Sequence, residues 1–141
     1  MIIRVKTALD SYNIYLERGA LNKVDELFNL NRKVLVVTDS GVPSEYSAKV
    51  ASKCKEAVIV TFEQGEKSKN LDTFKMLLEK MVENNFTRTD CVVAVGGGVV
   101  GDLSGFASSA SMLLQSIPTD ISGMMLLNFV ISVALKQMTF T

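Results

Sequence analysis

Three consecutive glycines follow an apolar, β-branched run: Cys91-Val92-Val93-Ala94-Val95 leads into Gly96-Gly97-Gly98-Val99-Val100-Gly101-Asp102. Glycines placed there let the backbone approach a ligand more closely than any Cβ would permit. A helix starting behind them would aim its unpaired N–H groups and positive dipole end at an anion. The chemistry on offer is a pyrophosphate cradle. Gly96-x-Gly98-x-x-Gly101 also fits the dinucleotide-binding fingerprint, although a single match of this kind is weak. A strand-to-helix turn that needs glycine only for its own geometry accounts for the motif equally well.

Two more polar segments follow apolar runs in the same manner. After Lys33 to Thr38 comes Asp39-Ser40-Gly41-Val42-Pro43, and after Ala57 to Phe62 comes Glu63-Gln64-Gly65-Glu66-Lys67-Ser68-Lys69. A carboxylate ending a strand, as Asp39 would, can accept two hydrogen bonds from a ribose diol. The same residue could instead cap a helix or hold a turn ahead of Pro43. Glu66 and Lys69, three apart, could both face a cleft, one accepting from hydroxyls and the other paired with phosphate. A solvated charge cluster opening a helix from Asn70 explains them as well. Asp102, in the first turn of the helix behind the glycines, is favoured by the dipole with or without a ligand.

The elements that must position these loops are legible as alternating runs. Ile2 to Lys6, Lys33 to Thr38, Ala57 to Phe62 and Cys91 to Val95 are short and rich in β-branched residues, with a second extended piece around Tyr12 to Glu17 after the first. Near-continuous runs such as Val34-Leu35-Val36-Val37 suit strands covered on both faces, as in a parallel sheet. Between them, Leu21, Val24, Leu27 and Phe28 predict a helix over Ala20 to Leu30. Leu71, Phe74, Leu77, Leu78, Met81 and Val82 trace the apolar face of a second, opposite Asp72, Lys75, Glu79 and Lys80. The alternation predicts a doubly wound, mostly parallel α/β sheet with flanking helices, whose ligands bind in the crevice at the carboxyl ends of the strands.

Composition removes other chemistries. The 141 residues contain no His, which excludes Ser-His-Asp and Cys-His nucleophile arrangements and any His-ligated metal site built by this chain alone. Fifteen Lys and Arg against fifteen Asp and Glu give no field that would gather nucleic acid or an anionic membrane. Cys54 and Cys91 lie far apart in sequence without a C-x-x-C, and are expected to be reduced thiols of a cytoplasmic protein. Arg4, Lys6 and Asp10 interrupt any apolar leader segment. From Leu103 to Leu135 the only charge is Asp120. Ile121 to Leu135 reads as a core or interface helix, too short for the roughly 20 residues of a spanning one.

The residues resemble the 3-dehydroquinate synthases, within the wider group of sugar-phosphate cyclases and metal-dependent polyol dehydrogenases. The likeness runs from Tyr12 to about Ala107. It rests on Tyr12-x-Ile14 with Gly19, Val36-Val37-Thr38-Asp39, Gly65-Glu66-x-x-Lys69, Arg88-x-Asp90 and Val95-Gly96-Gly97-Gly98-Val99-Val100-Gly101-Asp102-Leu103-Ser104-Gly105-Phe106-Ala107. The polyol dehydrogenases share the triple glycine but are less similar at the Glu66 loop. The resemblance implies a Rossmann-like fold and a carbon-oxygen lyase of the shikimate pathway to aromatic amino acids. Such an enzyme converts 3-deoxy-arabino-heptulosonate 7-phosphate to 3-dehydroquinate with loss of phosphate, using NAD and a zinc or cobalt ion, commonly as a homodimer. By the same resemblance Asp39 would meet the adenosine ribose, and Gly65, Glu66 and Lys69 would line the cofactor. Gly97, Gly98, Val99 and Gly101 would wrap the pyrophosphate, Asp102 would lie near the nicotinamide ribose, and Thr119 would stand for a threonine of the family's Pro-Thr-Thr.

After Ala107 the pattern departs. Ser111-Met112-Leu113-Leu114 stands where the family has Tyr-x-Arg-Gly, Pro118-Thr119-Asp120 sits three residues early, and the later Gly-Gly-Lys stretch is missing. Residues 1–111 are therefore expected to be an NAD-binding α/β domain, incomplete at its C-terminus, and 112–141 an apolar tail. The family's helical second domain, with its metal-binding Glu and two His, is expected to be absent, so no metal ligands and no catalytic residues are assigned here. The first expectation is a synthase portion inactive alone; the alternatives are a non-enzymatic nucleotide-binding or interaction module that docks through a C-terminal helix, and a polyol dehydrogenase relative.

Overall fold

The computed structural model describes the backbone of residues 1–115 and 130–133 and the side chains of residues 1–111. Strands β1 (Ile2–Lys6) and β2 (Ser11–Tyr15) form an antiparallel hairpin with Ile3 opposite Ile14 and Val5 opposite Tyr12. Its turn is closed by Thr7, whose N–H and hydroxyl both donate to the Asp10 carbonyl at 2.8 and 2.9 Å.

A second sheet holds β3 (Lys33–Asp39), β4 (Glu56–Phe62), β5 (Cys91–Val95) and β6 (Val130–Val133), in the spatial order β4-β3-β5-β6 with every pair parallel. The chain winds outward from β3 to β4 and then crosses back to β5 on the other side of β3. That reversal makes the carboxyl ends of β3 and β5 a topological switch point, where a crevice opens between loops that diverge.

Helices cover both faces, as β strands buried on both sides require. Leu35, Val37, Val92 and Ala94 pack against Leu77 and Met81 of α3 (Leu71–Glu83) and against Val100, Leu103 and Ala107 of α4 (Gly98–Gln115). The alternate residues Val34, Val36, Cys91, Val93 and Val95 pack on the other side against Val24 of α1 (Val24–Leu27) and Val50 of α2 (Ser44–Ser52). The doubly wound parallel arrangement read from the alternating runs is the one observed.

Two expected helices differ. Over Ala20 to Leu30 the chain makes a 3₁₀ turn at Ala20–Lys23 and then only the single turn of α1. Phe28 is already extended, and Asn29 accepts from the Asn31 N–H at 3.1 Å through its side chain, a local bond that competes with helix continuation. The helix read at Ile121 to Leu135 is corrected over Val130–Val133, which is a strand paired in parallel with β5. Its β-branched residues suit the open edge of β5 better than a helix; the remainder of that segment lies outside the described residues. Helix α4 runs through the boundary expected at residue 111. No helix among the described residues is long and apolar enough to cross a membrane.

Candidate cofactor site at the carboxyl ends of the strands

The crevice floor is fixed by Thr38, a buried residue near the end of β3, whose hydroxyl donates to the Val95 carbonyl at 2.8 Å. Immediately beyond Val95 the three glycines separate by role. A Cβ on the buried Gly96 would come within 2.6 Å of Val100 Cγ2, so glycine is needed there for the strand-to-helix turn to close. Gly97 and Gly98 have ordinary negative-side backbone angles, and a Cβ on either would meet nothing within 4 Å. Neither packing nor conformation asks for glycine at those two exposed positions. Open space in front of the helix start is what an approaching ligand requires. The first N–H groups of α4, beginning at Gly98 and Val99, have no partner within the helix, while Gly101 N–H donates to the Gly97 carbonyl at 3.0 Å. Packing thus requires glycine at Gly96 and leaves space at Gly97 and Gly98.

The loop after β4 is held as firmly. Gly65 has φ +104°, a region open essentially to glycine, and from it springs a 3₁₀ turn over Glu66–Ser68. Ser68 is buried, and its hydroxyl donates to the Glu63 carbonyl. Asn70 then caps α3, accepting from the Thr73 N–H at 2.9 Å. This leaves Lys69 directed at α4, its Nζ 2.7 Å from Asp102 Oδ2. The hydrogen bond and charge of Asp102, with a smaller contribution from Glu66, push the Lys69 ammonium above its ordinary range. Both partners are about half exposed, so the pair is an orienting contact across the crevice mouth more than a source of stability.

Asp39 ends β3 half-buried. Its Oδ1 accepts from the Gly41 N–H at 2.9 Å, the turn role read as its alternative, and Oδ2 has no partner among the described residues. The Ser40 N–H donates to the Phe62 carbonyl at 2.8 Å and the Gln64 N–H to Ser40 Oγ at 3.0 Å, so the loops after β3 and β4 are tied together. A shallow depression of about 440 Å³ is lined by Thr38, Asp39, Ser40, Gly41, Ser44 and Ser47. A second, of about 490 Å³, lies at the amino ends of the strands among Arg32, Lys33, Lys55 and Asp90, at the opposite end of the sheet from the crevice.

The structure thus joins Lys69 to Asp102, with Glu66 near, and sets Gly97, Gly98, Val99 and Gly101 at the start of α4. Asp39 stands at the neighbouring strand end without a direct contact to them. Thr119 lies outside the described residues. The sequence reading missed Thr38, Ser40 and Gln64, which bind the loops to one another; a Thr closing an otherwise apolar run was the available signal for the first. Among the described residues, no three His, Cys, Asp or Glu come together in a way that could hold a metal ion.

A family model described as 3-dehydroquinate synthase N-terminal matches residues 59–125, running past Ala107 where the motif likeness stops. A 3-dehydroquinate synthase of Streptococcus suis is 41% identical over 123 residues, covering 79% of this chain and 34% of that protein. The chain therefore spans about a third of the length of the curated relatives it matches. Among solved structures, 2-deoxy-scyllo-inosose synthase complexed with carbaglucose-6-phosphate, NAD+ and Co2+ is similar with a TM-score of 0.71 and 26% identity, over 79% of this chain and 32% of that one. So is 2-epi-5-epi-valiolone synthase from Streptomyces hygroscopicus with NAD+ and Zn2+ bound, with a TM-score of 0.50 and 28% identity, over 57% and 24%.

Proposed function

The chain belongs to the 3-dehydroquinate synthase family, matching its N-terminal portion, and from that premise we propose that it holds NAD at the carboxyl ends of β3, β4 and β5. The observation that carries the proposal is the pair of exposed glycines, Gly97 and Gly98, for which the fold itself has no use. Backbone N–H groups at the start of α4 would hold the pyrophosphate, and the bare Cα atoms would let it sit against them. Asp39 Oδ2, at the end of β3, would accept from ribose hydroxyls. Lys69, tethered by Asp102, supplies positive charge at the mouth, and Glu66 an acceptor. NAD, when bound, supplies the hydride acceptor for oxidising a substrate alcohol. Related synthases are crystallised with NAD+ and with Co2+ or Zn2+, which supports the same cofactor class here.

In the complete synthase this reading implies conversion of 3-deoxy-arabino-heptulosonate 7-phosphate to 3-dehydroquinate with release of phosphate. The described residues do not fit a metal, and no metal-dependent step is assigned to them. All cofactor contacts named above fall within residues 1–111, the proposed NAD-binding unit.

Isothermal titration with NAD tests the reading. The expected dissociation constant is micromolar or weaker, and Gly98→Val should weaken binding by roughly 10-fold or more, about 1.4 kcal/mol, because the new side chain fills the space in front of α4. An unchanged constant in Gly98→Val, or no heat at millimolar NAD, would overturn it.

A further inference from the structure

Two loops meet at the amino ends of the strands because they share one acceptor. The carbonyl of the buried Leu30 accepts from the Arg32 N–H at 2.7 Å and from the Lys55 N–H at 3.1 Å, and the Glu56 N–H donates to the Arg32 carbonyl at 3.4 Å. Arg32 and Lys55 are thereby held just before β3 and β4, on the rim of one depression of about 490 Å³. That volume lies within the range of small-molecule sites. The remaining charges on the rim are already engaged. Lys33 Nζ donates to the Asn84 carbonyl at 2.7 Å, lies 5.5 Å from the centre of the Phe86 ring and stands 3.9 Å from the Glu56 carboxylate, so Lys33 and Glu56 offset one another. Asp90 is turned into its own loop, where Oδ2 accepts from the N–H and the hydroxyl of Thr87 at 2.6 and 3.1 Å. Lys55 Nζ, by contrast, has no partner among the described residues, and the Arg32 guanidinium makes a single long contact to them, Nη1 to the Thr89 carbonyl at 3.4 Å.

Asn29 adds a third donor to the same rim. Its Oδ1 accepts from the Asn31 N–H at 3.1 Å, which fixes the carboxamide so that the NH₂ group is the end left for a ligand. A guanidinium fork, an ammonium and an amide NH₂ on one concave surface are all donors, and they match an oxyanion that carries two charges and takes several hydrogen bonds. We propose that the depression among Asn29, Arg32 and Lys55 binds the phosphate group of a small molecule, as a monoester or as the free ion. Arg32 takes two phosphate oxygens side by side, Lys55 supplies the second positive charge, and Asn29 donates to a third oxygen. A polynucleotide or an anionic membrane is held by a stripe or plane of positive charge, whereas this rim offers two cations in a concavity on a chain of balanced charge. Lying at the opposite end of the sheet from Gly97 and Gly98, the site is independent of what the crevice holds.

Proton–nitrogen correlation NMR of the full chain in a phosphate-free buffer tests the site. Inorganic phosphate should produce saturable shifts centred on the amides of residues 29–33 and 55–56, with a dissociation constant of about 1 mM or tighter. Arg32→Gln combined with Lys55→Gln should raise that constant roughly 10-fold or more. Neither side chain is buried, so the rest of the spectrum should stay as in the wild type. Glycerol 3-phosphate, as a second probe, separates the two sources. Tighter binding than inorganic phosphate supports the site with an ester as its occupant, and equal or weaker binding supports it with the free ion. The absence of saturable shifts at those amides, or shifts confined to residues 97–101, would overturn the proposal. So would shifts that sodium chloride reproduces at equal ionic strength, or an affinity unchanged in the double variant.

Discussion

Gly96 and Gly98 are two residues apart in one motif and answer to different constraints. Gly96→Ala drives a Cβ into Val100, which is fully buried between α4 and the sheet, and overpacking of this kind costs about 1–3 kcal/mol. Thermal unfolding should show that loss, while Gly98→Ala, which meets nothing, should leave the midpoint near wild type. The cysteines give a second prediction. Burial first, and the Cys91 thiol second, push the Cys54 thiol up to about 11 from its ordinary 9.0, and burial pushes Cys91 up as well. A thiol whose folded pKa lies above its unfolded one keeps its proton longer in the folded chain, so stability falls as pH rises from about 9 to about 11. The decline in melting temperature across that window should be shallower in Cys54→Ala.

At the scale of elements, Asn70 shows how one cap serves a loop. Its side chain accepts from the Thr73 N–H and donates to the Lys67 carbonyl at 2.7 Å, so it starts α3 and ends the Glu66–Lys69 turn together. Asn70→Ala should cost about 1 kcal/mol in urea unfolding. The central strands were legible because continuous β-branched runs such as Val34 to Val37 have one stable environment, a sheet covered on both faces. Periodicity failed at Ala20 to Leu30, where apolar spacing suited a helix but Asn29 supplied a competing side-chain bond. It failed again at Val130–Val133, because a short apolar run has no period that separates strand from buried helix. Of the site, the glycines, Asp39 and the Glu66 loop could be read as positions. What could not be read was contact, such as Lys69 with Asp102, since residues 33 apart are joined only by topology.

At the scale of the chain, the described residues form the proposed cofactor crevice, and the match spans about a third of the length of the relatives. A crevice that binds NAD still needs groups that hold the substrate and a metal, and the described residues offer no metal cluster. Mixing the pure chain with NAD, zinc or cobalt and the heptulosonate phosphate should therefore release no phosphate above the uncatalysed background. Sustained release would show that this chain completes the reaction alone.

The bond from Thr38 to Val95 spans 57 residues. During synthesis β3 emerges early and finds β4 first, yet the crevice floor cannot exist until β5 has cleared the ribosome. Until then the amide-lined mouth has only one wall. Nascent chains with β5 still inside the ribosome should be blind to NAD, and those long enough for β5 and the start of α4 to have emerged should be the first to respond to it. Timing of competence along the message is thus set by which strand lies between its two neighbours.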